Sequence, residues 1–85
     1  MFIEIVTPDE KIFEGEVISA TFPGTDGSFQ ILNNHAALVS TLGKGHIAFV
    51  KTVSNKTEEV QIEVDGGVVE ILNNKVTVLA EKITE

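Results

Sequence analysis

Several residue types are missing from this 85-residue sequence: it has no cysteine, tryptophan, tyrosine or arginine. Without cysteine, the chain can form no disulfide, thiolate metal site or cysteine nucleophile, and a small chain of this kind is typical of a reducing compartment. The only basic residues are six lysines, and the formal net charge is −7. Nucleic acids and anionic lipids are bound through clustered cations, so we expect neither as a partner.

Long apolar runs are also missing, and no stretch approaches the ~20 residues that a membrane-spanning helix needs. The first residues, MFIEIVTPDEK, contain Glu4 and have no basic segment followed by an apolar one, as a signal peptide would. We therefore expect an intracellular chain without direct lipid insertion. Its length predicts a single domain covering residues 1–85.

The dominant pattern is alternation of apolar and polar residues with a period of two. In EVQIEV, for example, Val60, Ile62 and Val64 share one side and Gln61 and Glu63 the other. Such alternation predicts strands with one buried and one solvated face. Turn signals recur about every 8 to 12 residues, which indicates an all-β fold, a sandwich or barrel.

The strand EVISATF predicts one face with Ile18, Ala20 and Phe22, opposite Val17 and Ser19. The segment HAALVSTL, residues 35–42, alternates least clearly, and either a helical turn or a short irregular strand fits it.

The tetrapeptide ILNN occurs twice, at residues 31–34 and 71–74, although the residues that follow each copy differ. Asparagine tolerates left-handed backbone conformations and is common in tight turns. The second copy lies within EILNNKVTV and predicts a two-residue hairpin that is structural. The first copy leads into the irregular segment 35–42, which could be a contact segment or a loop packed over its own core.

No catalytic or metal-binding motif is present. His35 and His46 lie in different segments without metal-ligand spacing, and no serine stands in a GxSxG motif. The Gly pair in VDGGV lacks the spacing of a dinucleotide site. We therefore predict a non-enzymatic chain with no cofactor and no metal. The alternatives are a free-standing β-sandwich module that binds a ligand or peptide, and, more remotely, a small metal-dependent enzyme.

Three stretches, taken in order, resemble the epsilon subunit of F-type ATP synthase over about residues 3–81. They are TPDEKIFEGEV, PGTDGSFQILNNHAALVSTLGKG and VDGGVVEILNNKVTVLAE. The family patterns for these stretches are TPxxxxFxGxV, GTxGExGxLPGHAPLLTxLxxG and GGxxEVxxNxVTVLA. The resemblance implies an all-β, flattened sandwich or barrel of about ten mostly antiparallel strands. It also implies that the helical hairpin of about fifty residues that follows in larger members is absent from these 85 residues.

The middle stretch departs from the family pattern at several positions. Ser28 replaces the usual acidic residue, Gln30 replaces a glycine, Asn33 and Asn34 replace Pro-Gly, and Ala37 replaces a proline. Because asparagine can take the left-handed conformation of glycine, we expect the turn before His35 to be retained.

The resemblance implies a central-stalk rotor subunit that helps to couple ion-driven rotation of the c-ring to ATP synthesis. Its partners would be the gamma subunit, the c-ring and, indirectly, the alpha/beta catalytic head. The subunit would be peripheral, at the cytoplasmic face of the bacterial plasma membrane.

By motif position, the resemblance implies that Thr7, His35 and Ser40 face gamma. The turn at Asp26, Gly27 and Ser28 would approach the c-ring. Since c-ring loops in the family carry a basic or amide-rich tip, the Asp26 carboxylate would complement them.

Overall fold

The fold consists of β-strands joined by short turns. The structure, a computed structural model, describes residues 1–81 and, for their backbone only, residues 83–84. Within these residues there are ten strands and no helix: β1 Phe2–Val6, β2 Lys11–Glu16, β3 Ser19–Gly24, β4 Gly27–Leu32, β5 Leu38–Leu42, β6 Gly45–Val53, β7 Lys56–Val64, β8 Gly67–Leu72, β9 Lys75–Ala80 and β10 Ile83–Thr84. A helix able to span a membrane is therefore not found in the described part.

The strands form one curled sheet in the order β10-β7-β6-β3-β5-β8-β9-β1-β2, with β4 paired to the side of β3. Strands β1 and β9 are parallel, and the other pairs are antiparallel. The sheet narrows between β3 and β5, where only Gly24 and Leu42 pair. This narrow point divides it into two halves, β10-β7-β6-β3-β4 and β5-β8-β9-β1-β2.

A core of apolar side chains lies between the two halves. Phe22, Ile47 and Phe49 come from the first half, and Ile5 and Val78 come from the second. Phe13 of β2 stacks on Phe49 of β6 with ring centroids 4.5 Å apart, although β2 and β6 are not neighbours in the sheet. The burial of alternate residues along each strand follows from the two-residue repeat of β-structure.

Two hairpins close through two-residue loops with positive φ at both central residues. These are Ser54-Asn55 between β6 and β7 and Asn73-Asn74 between β8 and β9. Positive φ at both positions is characteristic of the type I′ turn, whose twist matches that of paired strands.

The predicted all-β sandwich of about ten mostly antiparallel strands is confirmed. The predicted hairpin at 71–74 is also confirmed, with Leu72 opposite Lys75 and Glu70 opposite Thr77. Of the two forms predicted for the segment 35–42, the short strand is confirmed, because Leu38–Leu42 form β5.

The face assigned to Ile18 is wrong, because Ile18 is exposed and Val17 is buried. Strand β3 begins only at Ser19, and the alternation does not extend into the connection before it. From Ser19 onward the predicted faces are correct, and Ala20 and Phe22 are fully buried.

Candidate functional site

The side of β5, β8, β9 and β1 that points away from the core, here called the outer face, carries exposed apolar residues. Residues directly opposite each other in paired strands project to the same face. Val39 opposes Glu70, and Thr41 opposes Val68. Val68 in turn opposes Leu79 on β9, so the apolar side chains continue from strand to strand.

The exposure of these residues is high for apolar side chains. Val39 is 65% exposed, Leu79 57%, Leu72 52% and Val68 38%. These four residues lie on one side of one half-sheet. Val68 and Leu79 are directly opposite each other, and Glu70 lies between Val68 and Leu72 along β8. Exposed apolar residues grouped on one face are typical of a surface that contacts another protein.

Thr7 lies at the edge of the outer face. Its hydroxyl oxygen accepts hydrogen bonds from the backbone N–H groups of Asp9, at 3.3 Å, and Glu10, at 3.2 Å, and so closes the turn between β1 and β2. Thr7 also lines a shallow groove of 300 Å³ together with Val6, Val68 and Leu79. The groove extends the apolar outer face to this turn.

Ser40 lies on the other side of β5. It opposes Val69, which is fully buried, and its hydroxyl donates to the Thr41 carbonyl at 3.1 Å. The side chains of β5 that point outward are those of Val39 and Thr41. Ser40 is half-buried, whereas Val39 and Thr41 are exposed. A role of Ser40 in an interface stays a prediction.

His35 lies in the exposed connection between β4 and β5. Its ring Nδ1 is 2.8 Å from the Ala36 carbonyl, and its backbone N–H donates to the Leu32 carbonyl at 3.2 Å. The residues from Leu32 to Ala37 are all exposed, so the segment is open to a partner.

The turn at Asp26, Gly27 and Ser28 joins β3 to β4. Gly27 has φ of 127°, which suits glycine, and it pairs with Gly24. The preceding residue, Thr25, shares a 2.7 Å hydrogen bond between hydroxyls with Thr41, so this turn rests against the end of β5.

The strand directions place the predicted residues at opposite ends of the sandwich. Strand β5 is antiparallel to β8, β8 is antiparallel to β9, and β9 is parallel to β1. Hence β1 and β5 run the same way. Thr7 follows the end of β1, whereas His35 precedes the start of β5. The Asp26 turn lies at the same end as Thr7, since Thr25 contacts Thr41 near the end of β5.

The end that carries the Asp26 turn is acidic. Asp9 and Glu10 lie in the turn after Thr7, and Asp65 lies in the turn between β7 and β8. Glu81 follows β9, and its backbone N–H donates to the Gly66 carbonyl. Lys44, between β5 and β6, is the basic residue among the described turns at this end.

A cluster of ion pairs lies on β1 and β2. The Lys11 ammonium is 3.0 Å from Glu14 and 3.3 Å from Glu4. Its hydrogen bonds, first to Glu14 and then to Glu4, raise the pKa of Lys11 above its usual value. This cluster of opposite charges reaches the outer face, because Glu4 opposes Thr77, two residues from Leu79 on β9. Among the described residues, no group of acidic and histidine side chains is arranged to hold a metal.

Sequence reasoning placed Val39 in the possible contact segment 35–42 but did not identify Val68, Leu72 and Leu79 as site residues. A signal for them was present, because in VVEIL and KVTVLA these apolar residues fall out of phase with the buried set. An apolar residue at an expected solvated position indicates a surface that a partner covers.

Three comparisons with known proteins relate this chain to the rotary ATP synthases. The model of the family "ATP synthase, Delta/Epsilon chain, beta-sandwich domain" matches residues 1–85. The ATP synthase epsilon chain of Maridesulfovibrio salexigens is 44% identical over 95% of this chain and 54% of its own length. The epsilon chain of Chlorobium limicola is 38% identical over 96% of this chain and 90% of its own length.

Solved structures have the same fold. A chain of the mitochondrial ATP synthase central stalk and c-ring of Tetrahymena thermophila matches with a TM-score of 0.76, over 99% of this chain and 65% of that one. A chain of the Euglena gracilis mitochondrial ATP synthase, from a structure of OSCP, F1 and c-ring, matches with a TM-score of 0.81, over 96% and 51%. Both are 20% identical in sequence.

The fold and the exposed face define a β-sandwich with exposed apolar side chains on one face of one half-sheet. The chain belongs to the ATP synthase delta/epsilon chain family, as its β-sandwich domain, and the resemblance seen in the sequence is confirmed. It spans little more than half the length of several of these relatives and nine-tenths of another.

Proposed function

We propose that this chain is the β-sandwich of a non-catalytic epsilon-type rotor subunit of an F-type ATP synthase. It joins the gamma subunit to the c-ring, so that ion-driven rotation of the c-ring is transmitted to the alpha/beta catalytic head. The observation that carries this function is the exposed apolar outer face on a chain of this family.

The outer face has the properties of a gamma contact. Val39, Val68, Leu72 and Leu79 together expose apolar area that a partner would remove from water, at about 25 cal/mol per Å² before the costs of association. Of the predicted contact residues, Thr7 follows the end of β1 and His35 precedes the start of β5, so they lie at opposite ends of these strands. With a rise of roughly 3.3 Å per residue, a gamma contact that reaches both would cover the length of these strands.

The acidic end of the sandwich has the properties of a c-ring contact. The turn at Asp26, Gly27 and Ser28 lies at this end, as do Asp9 and Asp65 in other turns. Loops of basic or amide-rich character would be complementary to it, and charge complementarity sets orientation and speeds association. The chain would then be a peripheral protein that is held at the cytoplasmic face of the bacterial plasma membrane by its protein partners.

Co-purification tests the assignment to the complex. A tag at the carboxyl terminus of the protein, in the cells that make it, should recover gamma, alpha, beta and the c-ring from membranes treated with mild detergent. Recovery with unrelated proteins, or with none, would refute the proposal and favour a free-standing binding module.

A pair of surface variants tests the outer face. Val39→Lys places an ammonium in the proposed gamma contact, whereas Ile18→Lys places one at a residue 48% exposed outside that face. A charge is costly to bury in an interface, and Glu70, which opposes Val39, would offset this cost only in part. We expect Val39→Lys to weaken binding of purified gamma about tenfold or more and Ile18→Lys to leave it unchanged. Equal effects of the two variants would contradict this location of the contact.

A further inference from the structure

The two ILNN turns, 40 residues apart in the sequence, lie side by side and are joined by hydrogen bonds. The backbone N–H of Asn34 donates to Asn74 Oδ1 at 2.7 Å. The side-chain amide of Asn74 donates from Nδ2 to Asn33 Oδ1 at 2.9 Å. Asn74 therefore holds both asparagines of the first turn with the two ends of one amide group.

The chemistry of the partners determines the orientation of both amides. A backbone N–H can only donate, so the atom of Asn74 that faces Asn34 must be its oxygen. Asn74 then presents its nitrogen to Asn33, which must accept. The amino group of Met1, another pure donor, also lies 2.9 Å from Asn33 Oδ1. Each donor in this network thus meets an acceptor.

The two turns differ in how firmly the rest of the fold holds them. Asn74 belongs to the tight hairpin between β8 and β9, and its carbonyl accepts a hydrogen bond from Phe2 N–H at 3.1 Å. The segment 33–37, in contrast, is exposed. Within its own turn, the backbone N–H of His35 donates to the Leu32 carbonyl. The β8–β9 hairpin is therefore the fixed element, and Asn74 binds the segment 33–37 to it.

We propose that Asn74 is a positioning residue for the 33–37 segment, and that through it the second ILNN turn sets the place of His35 in the gamma contact. The second part of this inference rests on the proposed function. Asn34 has left-handed backbone, with φ of 64°, and its N–H is the group that Asn74 binds.

Two glycine variants in the same turn test the proposal. Asn74→Gly removes the bridging amide but leaves an Asn-Gly loop, a strongly favoured sequence for a type I′ turn, so the hairpin itself stays formed. Asn73→Gly is the matched control, because Asn73 also has positive φ and its side chain makes no hydrogen bond among the described residues.

Two quantities are measured. The first is the rate of amide hydrogen exchange at Asn34, followed by NMR on protein that carries no tag at its amino terminus. The second is the dissociation constant of the complex with purified gamma. We expect Asn74→Gly to speed exchange at Asn34 tenfold or more and to weaken gamma binding several-fold. Amides of β8 and β9 should exchange as before, and Asn73→Gly should change neither quantity.

Aspartate variants separate positioning from a general structural effect. Asn33 uses only its oxygen, so Asn33→Asp should keep exchange at Asn34 and gamma binding close to the original values. Asn74 uses both ends of its amide. Asn74→Asp keeps an oxygen that accepts from the Asn34 N–H, but it loses the donor and sets a carboxylate against Asn33 Oδ1. Exchange at Asn34 should therefore rise in Asn74→Asp, though less than in Asn74→Gly; equal exchange in the two aspartate variants would overturn the assignment.

Each of the two measurements tests a different part of the proposal. Unchanged exchange at Asn34 in Asn74→Gly would overturn the positioning role, whatever gamma does. Faster exchange with unchanged gamma binding would overturn the link to the contact. If the original chain does not bind gamma at all, the proposed function fails, and exchange at Asn34 still decides the positioning role.

Discussion

At the scale of single residues, left-handed backbone is concentrated at asparagine and glycine. Asn34, Asn55, Asn73 and Asn74 have φ between 52° and 64°, values that asparagine tolerates better than most residues, and Ser54 is the exception. Gly67 differs from these, because its φ of 146° coincides with a close approach of another strand.

Gly67→Ala should destabilise the fold by roughly 3 kcal/mol. A Cβ at this position would collide with the Leu79 carbonyl and lie 3.0 Å from Ala80 Cα, and its φ is strained for alanine. Urea unfolding followed by far-ultraviolet circular dichroism measures the effect. Gly43→Ala is the control, because its nearest neighbour would be the Pro23 carbonyl at 3.8 Å. Equal stability of the two variants would contradict the steric argument.

At the scale of elements, the loops were predictable to different degrees. The signals SNKT and ILNNK each mark a two-residue hairpin, because the turn residues lie between strands that pair with each other. The first ILNN also marks a turn, but β4 and β5 do not pair with each other. Turn chemistry is local and readable, whereas the partner of each strand is a property of the whole sheet.

The hairpin between β6 and β7 offers a stabilising change. Its loop, Ser54-Asn55, has φ of 50° and 64°, and the double change Ser54→Asn with Asn55→Gly installs the favoured type I′ sequence. We expect a gain of about 1 kcal/mol, which raises Tm by ~4–8 °C for a domain of this size. Calorimetry measures it. Asn55→Ala should lower Tm, and a rise in that variant would refute the conformational explanation.

At the scale of the whole molecule, the two halves depend on each other despite the narrow join at Gly24 and Leu42. Phe49 is 1% exposed and stacks on Phe13 across the interior, and Lys51 lies 5.6 Å from the Phe13 ring centroid. Neither half could bury its apolar side chains alone, so we expect them to unfold together.

Phe49→Leu should lower the free energy of unfolding by about 1–2 kcal/mol, through lost volume and the lost aromatic pair. Hydrogen exchange of the slowest amides in β3 and in β9 should accelerate by the same factor, since both exchange through global unfolding. Acceleration confined to β3 and its neighbours would show that the halves open independently.

The sequence by itself determined the family, the strand pattern, the turns and most buried positions, because alternation and turn preferences act between residues close together in the chain. Only the tertiary structure decided that the two ILNN turns meet, that Ser40 faces the core, and that Thr7 and His35 lie at opposite ends. It also decided that Val39, Val68, Leu72 and Leu79 share one face. Each of these depends on which strands pair, in which direction and in what register, and pairing between distant segments is settled by burial of the whole core.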